Sequence, residues 1–322
     1  MEESVLTTAL NQDEDREAAI DVGLALQCPR CRADLGGLDC GRCGFRMRVC
    51  RGIIEGLPPE RVDHYARFVE DYERIRSEEG RGSRKEDFYL ALPYKDTSGR
   101  NTGQWKIRGR SYKCLIEDVL KPLGQCARIL DLGAGNGWMS YRLALAGFRP
   151  VAVDLLTNER DGLAAAVHYH GYLNEPFPRF QAEMTRLPFG KEQFDAIVFN
   201  ASFHYSEDYE ASLREALRCL RIGGKVIISD SPWYSREESG REMIAERHAT
   251  FLQKFGTASD AIPSLEFLTD QRLRALEEQL SIRWTIYKPQ YGLTWALRPF
   301  LARLCRRREP SRFRIYAATK DA

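Results

Sequence analysis

Residues 128–146 read RILDLGAGNGWMSYRLALA, and this stretch decides the fold of the chain. A short apolar run leads into a turn with three alternate glycines: Gly133, Gly135 and Gly137. Apolar residues then recur with helical period, and Gly147 stands where such a helix would end. The pattern predicts a strand, a tight turn and a helix. Glycines at alternate positions let a ligand approach the backbone, because they have no Cβ to occupy its space.

The spacing of these glycines separates two kinds of cofactor site. The dinucleotide fingerprint is G-x-G-x-x-G, and here Trp138 stands where that pattern needs its third glycine. The sequence D-x-G-x-G-x-G resembles instead the first motif of class I S-adenosylmethionine (SAM) methyltransferases. An ordinary turn without a ligand is the alternative. The resemblance implies that the motif holds the methionine end of SAM, with these residues: Asp131, Gly133, Ala134, Gly135, Asn136 and Gly137.

A carboxylate follows the glycine turn after about twenty residues, the distance typical of nucleotide-binding α/β folds. The segment PVAVDL at 150–155 is predicted to be a short buried strand that ends in Asp154 and Leu155. A carboxylate at the carboxyl end of such a strand can bind ribose hydroxyls. Both SAM and NAD sites use this feature, so Asp154 indicates a nucleoside cofactor and leaves an NAD-dependent oxidoreductase open.

The next segment favours SAM. Residues 181–205, QAEMTRLPFGKEQFDAIVFNASFHY, closely resemble the following two motifs of the methyltransferase family. The resemblance places Glu183 at the adenine end of the SAM pocket and makes Met184 part of its apolar wall. The family usually has Asp at this position, so Glu183 is a departure. Asn200 ends the next predicted strand, at the switch point where open α/β sheets bind ligands, and we assign it to the cofactor site.

These motifs cover residues 128–230 and imply an α/β fold. In the family that they resemble, a ubiquinone-biosynthesis-like methyltransferase domain, the sheet is Rossmann-like, seven-stranded and mostly parallel. Predicted strands at 282–288 and 313–319 correspond to its antiparallel C-terminal edge pair. We expect the methyltransferase domain to span residues 112–322, with a basic insertion at 289–311.

A second motif stands near the N-terminus. The sequences C-P-R-C at 28–31 and C-G-R-C at 40–43 can offer four thiolates to one tetrahedral zinc ion: Cys28, Cys31, Cys40 and Cys43. So small a segment buries little core, and metal ligation would supply most of its folding energy. Residues 25–58 resemble the zinc ribbons fused ahead of many bacterial SAM methyltransferases. The ribbon could grip RNA or substrate, but we favour a structural clip.

Three other segments complete the predicted organisation. Residues 1–24 are an acidic tail. Residues 59–111 are predicted to be a helical and loop segment, and the helical periodicity runs over 58–79. Residues 92–110 are polar and glycine-rich and predict a loop that closes over SAM as a lid. Trp105 and Arg108 are the candidates in this loop for contacting cofactor or substrate, and an exposed surface loop is the alternative.

The composition limits the classes of function that the chain can have. A hydrophobic content of 43% supports a sizeable core, and a net charge of +2 gives no argument for nucleic acid. No segment has the apolar length needed to cross a bilayer, and the N-terminus lacks the pattern of a secretory signal. Nine cysteines without such a signal indicate reduced thiols or a metal site. We therefore expect a cytoplasmic protein.

Three residues are candidates for the chemistry. His204 and Tyr205 follow the fourth predicted strand and Asp230 ends the fifth, so all three are expected near the methyl-transfer zone. A base is needed only when the acceptor must lose a proton. His204 is the first choice for that base, and a structural histidine is the alternative.

The sequence thus predicts a SAM-dependent methyltransferase with a zinc ribbon, acting on an oxygen or nitrogen of a small or carrier-linked metabolite. The acceptor is expected to carry an anionic handle and to be phosphorylated, nucleotide-linked or lipid-linked. Alternatives are a ribosomal RNA base methyltransferase, for which the N-P-P-[YF] tetrapeptide of many such enzymes is missing, and a non-catalytic SAM-binding protein. Nucleic acid is disfavoured as a partner, whereas arginine-rich residues 298–314 offer peripheral membrane contact. The sequence leaves the oligomeric state open.

The cysteine spacing generates a first prediction. Elemental analysis of protein purified without added metal should find one zinc per chain. A Cys28→Ser/Cys31→Ser variant should lose it, because two ligands cannot hold the ion in a closed tetrahedral site. Cys50→Ser, outside the four-cysteine pattern, is the control and should keep the metal. Full zinc content in the double variant would refute the assignment.

Overall fold

A computed structural model describes residues 23–321, so nearly all of the predicted acidic tail lies outside the described residues. The N-terminal part contains β1 (Leu26–Gln27), β2 (Asp34–Leu35), β3 (Arg48–Cys50), β4 (Ile53–Glu55), α1 (Pro59–Glu78), α2 (Glu86–Ala91) and α3 (Thr102–Cys114). The central part contains β5 (Arg128–Leu132), α4 (Trp138–Leu145), β6 (Arg149–Asp154), β7 (Arg179–Gln181), β8 (Phe194–Asn200), α5 (Tyr209–Cys219) and β9 (Leu220–Ser229). The C-terminal part contains α6 (Glu237–Phe255), α7 (Asp270–Leu280), β10 (Thr285–Tyr287), α8 (Leu293–Ala296), α9 (Arg298–Leu304) and β11 (Ile315–Thr319).

The central sheet has the strand order β10-β11-β9-β8-β5-β6-β7-β4-β3. Strands β5 to β9 pair in parallel, and β11 pairs antiparallel with β9 and with β10. The predicted α/β class, the parallel sheet and the antiparallel edge pair are confirmed. The sheet is larger than the seven strands that the sequence implies, because β4 pairs in parallel with β7 and β3 pairs antiparallel with β4. Two strands of the N-terminal segment thereby cover a sheet edge whose backbone groups would otherwise be unpaired.

The core lies on both faces of this sheet. Leu130 of β5 belongs to one buried cluster and Ile129 to the other, because successive side chains of a strand point to opposite faces. Both side chains are fully buried. Strands covered on both faces read as continuous apolar runs, which explains why β5 and β8 are recognisable from sequence. The loops at the carboxyl ends of these strands therefore stand on a rigid base.

The four-cysteine segment is docked on the domain. Arg32, between the two cysteine pairs, donates to the Glu215 carboxylate at 2.5 Å and to the carbonyl oxygen of Thr185 at 2.9 Å. Glu215 also accepts from the backbone nitrogen of Leu187 at 2.8 Å. The cysteine segment and the 183–189 loop are thus joined through one buried carboxylate.

The loop predicted at 92–110 is wrong over residues 102–110, because these residues belong to helix α3 (Thr102–Cys114). Trp105 is only 2% exposed and lies edge-on to Trp138, with 5.9 Å between ring centroids. Tyr112, two turns further along α3, packs on the same Trp138 ring. Gly103 and Gly109 lower helix propensity, so the sequence resembles a loop, whereas the aromatic contacts stabilise a helix.

The basic insertion between β10 and β11 contains α8 and α9. Among residues 23–321, no helix has the length and apolar content required to traverse a lipid bilayer.

The buried position of Trp105 generates a stability prediction. Trp105→Ala should lower the free energy of unfolding by about 3–5 kcal/mol, the usual cost of truncating a buried aromatic side chain to alanine. Trp105→Phe should cost much less, because it keeps most of the ring and removes a buried indole N–H without a hydrogen-bond partner among the described atoms. Urea unfolding followed by circular dichroism measures both. An alanine variant as stable as the wild type would contradict the packing role.

Candidate cofactor and acceptor site

A cavity of about 270 Å³ lies at the carboxyl ends of the parallel strands, beneath helix α1. The sheet side contributes residues of the predicted cofactor motifs: Gly133, Gly135, Asp154, Leu155, Met184 and Asn200. Helix α1 contributes a second wall: Arg61, Tyr65, Phe68, Tyr72 and Arg76. The structure therefore brings the separate motifs of the sequence together around one cavity.

The glycine turn approaches this cavity closely because side chains would not fit there. Gly133 has φ +83°, and a Cβ on it would overlap the side chain of Ser202. Gly135 has φ +55°, and a Cβ there would lie 3.3 Å from the carbonyl oxygen of Asp161. Both residues adopt left-handed backbone conformations, which favour glycine. The turn is thus a cradle of bare backbone that a ligand can approach closely.

Asp154 holds this turn in place. Its carboxylate accepts hydrogen bonds from the backbone nitrogens of Gly135 at 2.7 Å and Leu156 at 2.8 Å. Burial raises the pKa of the Asp154 carboxyl to about 6. The side chain lines the cavity at the carboxyl end of β6, where the sequence predicts a ribose contact.

Asp131 stands behind the turn and does not line the cavity. One carboxylate oxygen accepts hydrogen bonds from the backbone nitrogen of Ser140 at 3.1 Å and its hydroxyl at 2.8 Å. The other oxygen is buried with no partner among the described atoms, and burial raises the pKa of Asp131 to about 7. Asn136 similarly accepts from the backbone nitrogen of Trp138 at 3.2 Å. Both side chains organise the first turn of α4.

Glu183 is directed toward α1. Its carboxylate is 2% exposed and accepts hydrogen bonds from the Arg61 guanidinium at 2.6 Å and the Tyr65 hydroxyl at 3.0 Å. The predicted adenine acceptor is thus engaged by another helix, while Met184 and Thr185 line the cavity beside it. The sequence motif located Glu183 but gave no sign of these partners, since they lie more than a hundred residues away.

Helix α1 is fastened across the cavity at further points. His64 lies 2.9 Å from the Glu207 carboxylate, and the Asn158 amide donates to Glu73 at 2.7 Å. Arg76 pairs with Asp161 near the far end. Among the described elements, α1 therefore covers the cavity. The sequence shows the aromatic residues of α1 as one face of a helix but does not show that this face lines a cavity. The spacing of these residues at i, i+3 and i+7 was the available signal.

The three candidate catalytic residues divide into two groups. Tyr205 lines the cavity, with its ring edge-on to Tyr72 at 5.5 Å. His204 and Asp230 are buried outside the lining. The Nδ1 atom of His204 lies 3.4 Å from the Ser231 hydroxyl, and burial, with the charges of Arg247 and Arg108, lowers the pKa of His204 to about 3. Asp230 accepts a hydrogen bond from Ser111, and burial raises its pKa to about 6.

Arg108 lines the cavity, whereas Trp105 does not. The guanidinium lies 5.0 Å from the centroid of the Trp105 ring, and burial, with nearby arginines, lowers its pKa. Within residues 23–321 the Arg108 side chain has no hydrogen bond or ion pair. The charge of Asp230 acts on it without an ion pair, so Arg108 is a cation on the cavity wall that can pair with an anion.

The four predicted metal ligands are brought together. The sulfur atoms of Cys28, Cys31, Cys40 and Cys43 all lie within 4.8 Å of one another. Sulfur pairs at 3.6 and 3.5 Å match a tetrahedron with Zn–S bonds of about 2.3 Å, whose edges are about 3.8 Å. Backbone N–H groups of Cys43 and Arg42 lower the pKa of Cys40 to about 6, whereas burial raises the pKa of Cys28. The donor set fits zinc.

Comparison with known proteins agrees with this geometry. Residues 130–228 match the family model described as "Methyltransferase domain". The demethylmenaquinone methyltransferase of Mycobacterium marinum is 31% identical over 108 residues, which cover 34% of this chain and 43% of that protein. The arsenite methyltransferase of Aquipseudomonas alcaligenes is 31% identical over 133 residues, or 39% of this chain and 38% of that protein. The chain thus spans about two fifths of the length of these relatives.

Among solved structures, a geranyl diphosphate methyltransferase in complex with GPP and sinefungin superposes with a TM-score of 0.50. It is 16% identical and covers 67% of this chain and 78% of its own. This likeness concerns the fold alone. Residues 130–228, the segment that matches the methyltransferase domain model, contain the glycine turn, Asp154 and Glu183.

Proposed function

We propose that this chain is a SAM-dependent methyltransferase that acts on an oxygen or nitrogen of a small or carrier-linked acceptor. The observation that carries the proposal is one cavity with two unlike walls. The glycine turn and Asp154 form one wall, and the aromatic side chains of α1 and Tyr205 form the other. A cofactor and an acceptor therefore find separate surfaces within one enclosed space.

The cofactor wall offers distinct contacts along its length. Gly133 and Gly135 present bare backbone for the methionine part, and Asp154 can exchange a backbone partner for ribose hydroxyls. Leu155 and Met184 offer apolar contact for the adenine ring. Arg108 is placed to pair with the carboxylate of the methionine part, since its half-buried guanidinium lines the cavity and has no ion pair within residues 23–321. When bound, SAM supplies a methyl group already activated by its sulfonium.

The acceptor wall suits a planar or apolar body. Phe68, Tyr72 and Tyr205 lie within 5.5–6.2 Å of one another by ring centroid, and Ile262 adds an aliphatic surface. Aromatic faces bury large apolar area and stack on planar rings. The names of the matching relatives, demethylmenaquinone and arsenite methyltransferases, support an acceptor of small size.

The residues of the cavity contribute chiefly by holding the acceptor in line and excluding water. Tyr205 is the candidate that can touch the acceptor. His204 is neutral at physiological pH because its pKa is lowered to about 3, and its ring lies 4.3 Å from that of Tyr205 by centroid. We assign His204 the role of positioning Tyr205, and Asp230 that of fixing α3 through Ser111. Tyr205 orients the acceptor through its hydroxyl.

Binding and transfer can be tested together. Titration calorimetry should find micromolar SAM binding and no NAD binding, and labelled SAM should transfer its methyl group to a component of a small-molecule or lipid extract of the native cells. NAD binding without SAM binding would overturn the cofactor assignment. SAM binding without transfer to any extract component would support a non-catalytic SAM-binding protein. Asp154→Asn should weaken SAM by about 10- to 100-fold, whereas Asp63→Asn, exposed on α1, should not.

Arg108 gives a narrower test of the cofactor pose. Arg108→Gln should weaken SAM binding by about 10-fold or more, because a charge-assisted pair contributes about 1.5–3 kcal/mol. Adenosine should bind the variant and the wild type equally, since it has no carboxylate. Lys106→Gln, exposed on the same helix, is the matched control. If SAM affinity is unchanged and the KM for the acceptor rises, Arg108 binds the acceptor and not the carboxylate of SAM.

A further inference from the structure

The insertion between β10 and β11 exposes an apolar stripe. Its five large side chains are 50–83% exposed: Leu293, Leu297, Phe300, Leu301 and Leu304. The two helices of the insertion are nearly continuous, because Leu297 has helical backbone angles and donates from its nitrogen to Leu293 at 3.0 Å. The spacing i, i+4, i+7, i+8 and i+11 places all five on one face. Residues 293–304 therefore form a nearly continuous amphipathic helical segment about 18 Å long, made of α8 and α9.

The opposite side of this helix is fixed to the domain. The Trp295 ring stacks on Phe313 with 5.6 Å between centroids, and the Arg298 guanidinium covers Trp295 at 3.8 Å. Just before the helix, the Tyr291 hydroxyl lies 2.7 Å from the hydroxyl of Ser111 on α3. These contacts hold the helix on the domain and leave the apolar stripe facing outward.

Three arginines extend the same surface. Arg303, Arg306 and Arg307 are exposed, and their side chains have no hydrogen bond or ion pair within the part of the chain that the structure describes. The arginines that follow are already neutralised by acidic partners: Arg308 by Glu246, Arg312 by Glu309 and Arg314 by Asp270. The surface thus combines an apolar stripe with three uncompensated positive charges.

We propose that this surface, residues 293–307, docks on an anionic phospholipid membrane with its helix in the plane of the interface. A helix of this length is too short to cross a bilayer. An apolar face flanked by arginines is the composition of interfacial helices, whose leucine and phenylalanine side chains enter the acyl boundary. Arginines at the edge of the stripe pair with lipid phosphates through their planar guanidinium groups.

Charge favours an anionic membrane over a second copy of the chain as the partner of this surface. Two such surfaces facing each other would bring six uncompensated arginines together, and like charges in contact oppose association. Anionic headgroups instead neutralise all three. The acidic residues 1–22 have the charge to compete with lipid for this surface. The vesicle experiment below distinguishes the two occupants. The proposal does not depend on the identity of the bound cofactor.

Co-sedimentation of the full chain with vesicles tests the proposal. Binding to phosphatidylcholine vesicles with 30% phosphatidylglycerol should be at least 10-fold tighter than to phosphatidylcholine alone, and it should weaken as salt rises. Arg303→Ala/Arg306→Ala/Arg307→Ala should lose the preference for anionic lipid. Phe300→Ser/Leu304→Ser should lose at least 10-fold in affinity for the anionic vesicles, because the stripe no longer enters the acyl region.

Matched controls use residues of similar exposure elsewhere. Arg236→Ala/Arg241→Ala/Arg274→Ala removes three exposed arginines without ion pairs in the described chain. Leu145→Ser/Leu252→Ser removes two leucines that are 52% and 60% exposed. Both controls should bind vesicles like the wild type, and circular dichroism should show that all variants fold.

Four results would overturn the proposal. Failure of the wild-type chain to bind anionic vesicles would overturn it directly. Binding that appears only after removal of residues 1–22 would identify that segment as the occupant. A dimer in sedimentation velocity that dissociates on Phe300→Ser/Leu304→Ser, without vesicle binding, would assign the surface to a second copy. Equal losses in the variants and their controls would show that general charge and hydrophobicity act instead of this surface.

Discussion

The arrangement of the cavity depends on one buried carboxylate, that of Glu183. A carboxylate only 2% exposed is costly unless its charge is paired and its oxygens accept hydrogen bonds. Arg61 and Tyr65 supply both, and both stand on α1. The position of α1 across the cavity is therefore coupled to the electrostatic need of a residue on the sheet side. Removing Arg61 would leave a buried charge without its ion pair, so the helix and the 183–189 loop are expected to move together.

The departure from the family pattern at this position has a structural reason. Glutamate is one methylene longer than the usual aspartate, and the extra length lets the carboxylate of Glu183 reach the first turns of α1. The adenine side of the cavity is then formed by the side chain of Met184 and by Thr185. A short cofactor motif can thus keep its place in the sequence while its acidic side chain serves the covering helix.

Sequence patterns located the elements whose signals are local. The glycine turn, Asp154 and Asn200 lie on the cavity as expected, since the parallel strands that carry them have continuous apolar runs. The covering helix was recognised only as a helix, because its partners Glu183 and Glu207 lie far away in sequence. Trp105 was misjudged because a glycine-containing helix resembles a loop, and its burial comes from Trp138. The buried setting of His204 likewise depends on tertiary packing that the local sequence does not reveal.

The four-cysteine segment takes part in the same arrangement. Arg32 donates to the carbonyl oxygen of Thr185, next to Met184 on the cavity wall, and Arg30 pairs with Glu60, next to Arg61. The second pair is exposed and contributes little, whereas Arg32 meets a Glu215 carboxylate that is 5% exposed. Strand β4 then continues the sheet beyond β7 and leads within four residues into α1. A metal that orders this segment would therefore fix the start of the helix that covers the cavity. Through the contact of Arg32 with Thr185, it would also stabilise the cofactor wall.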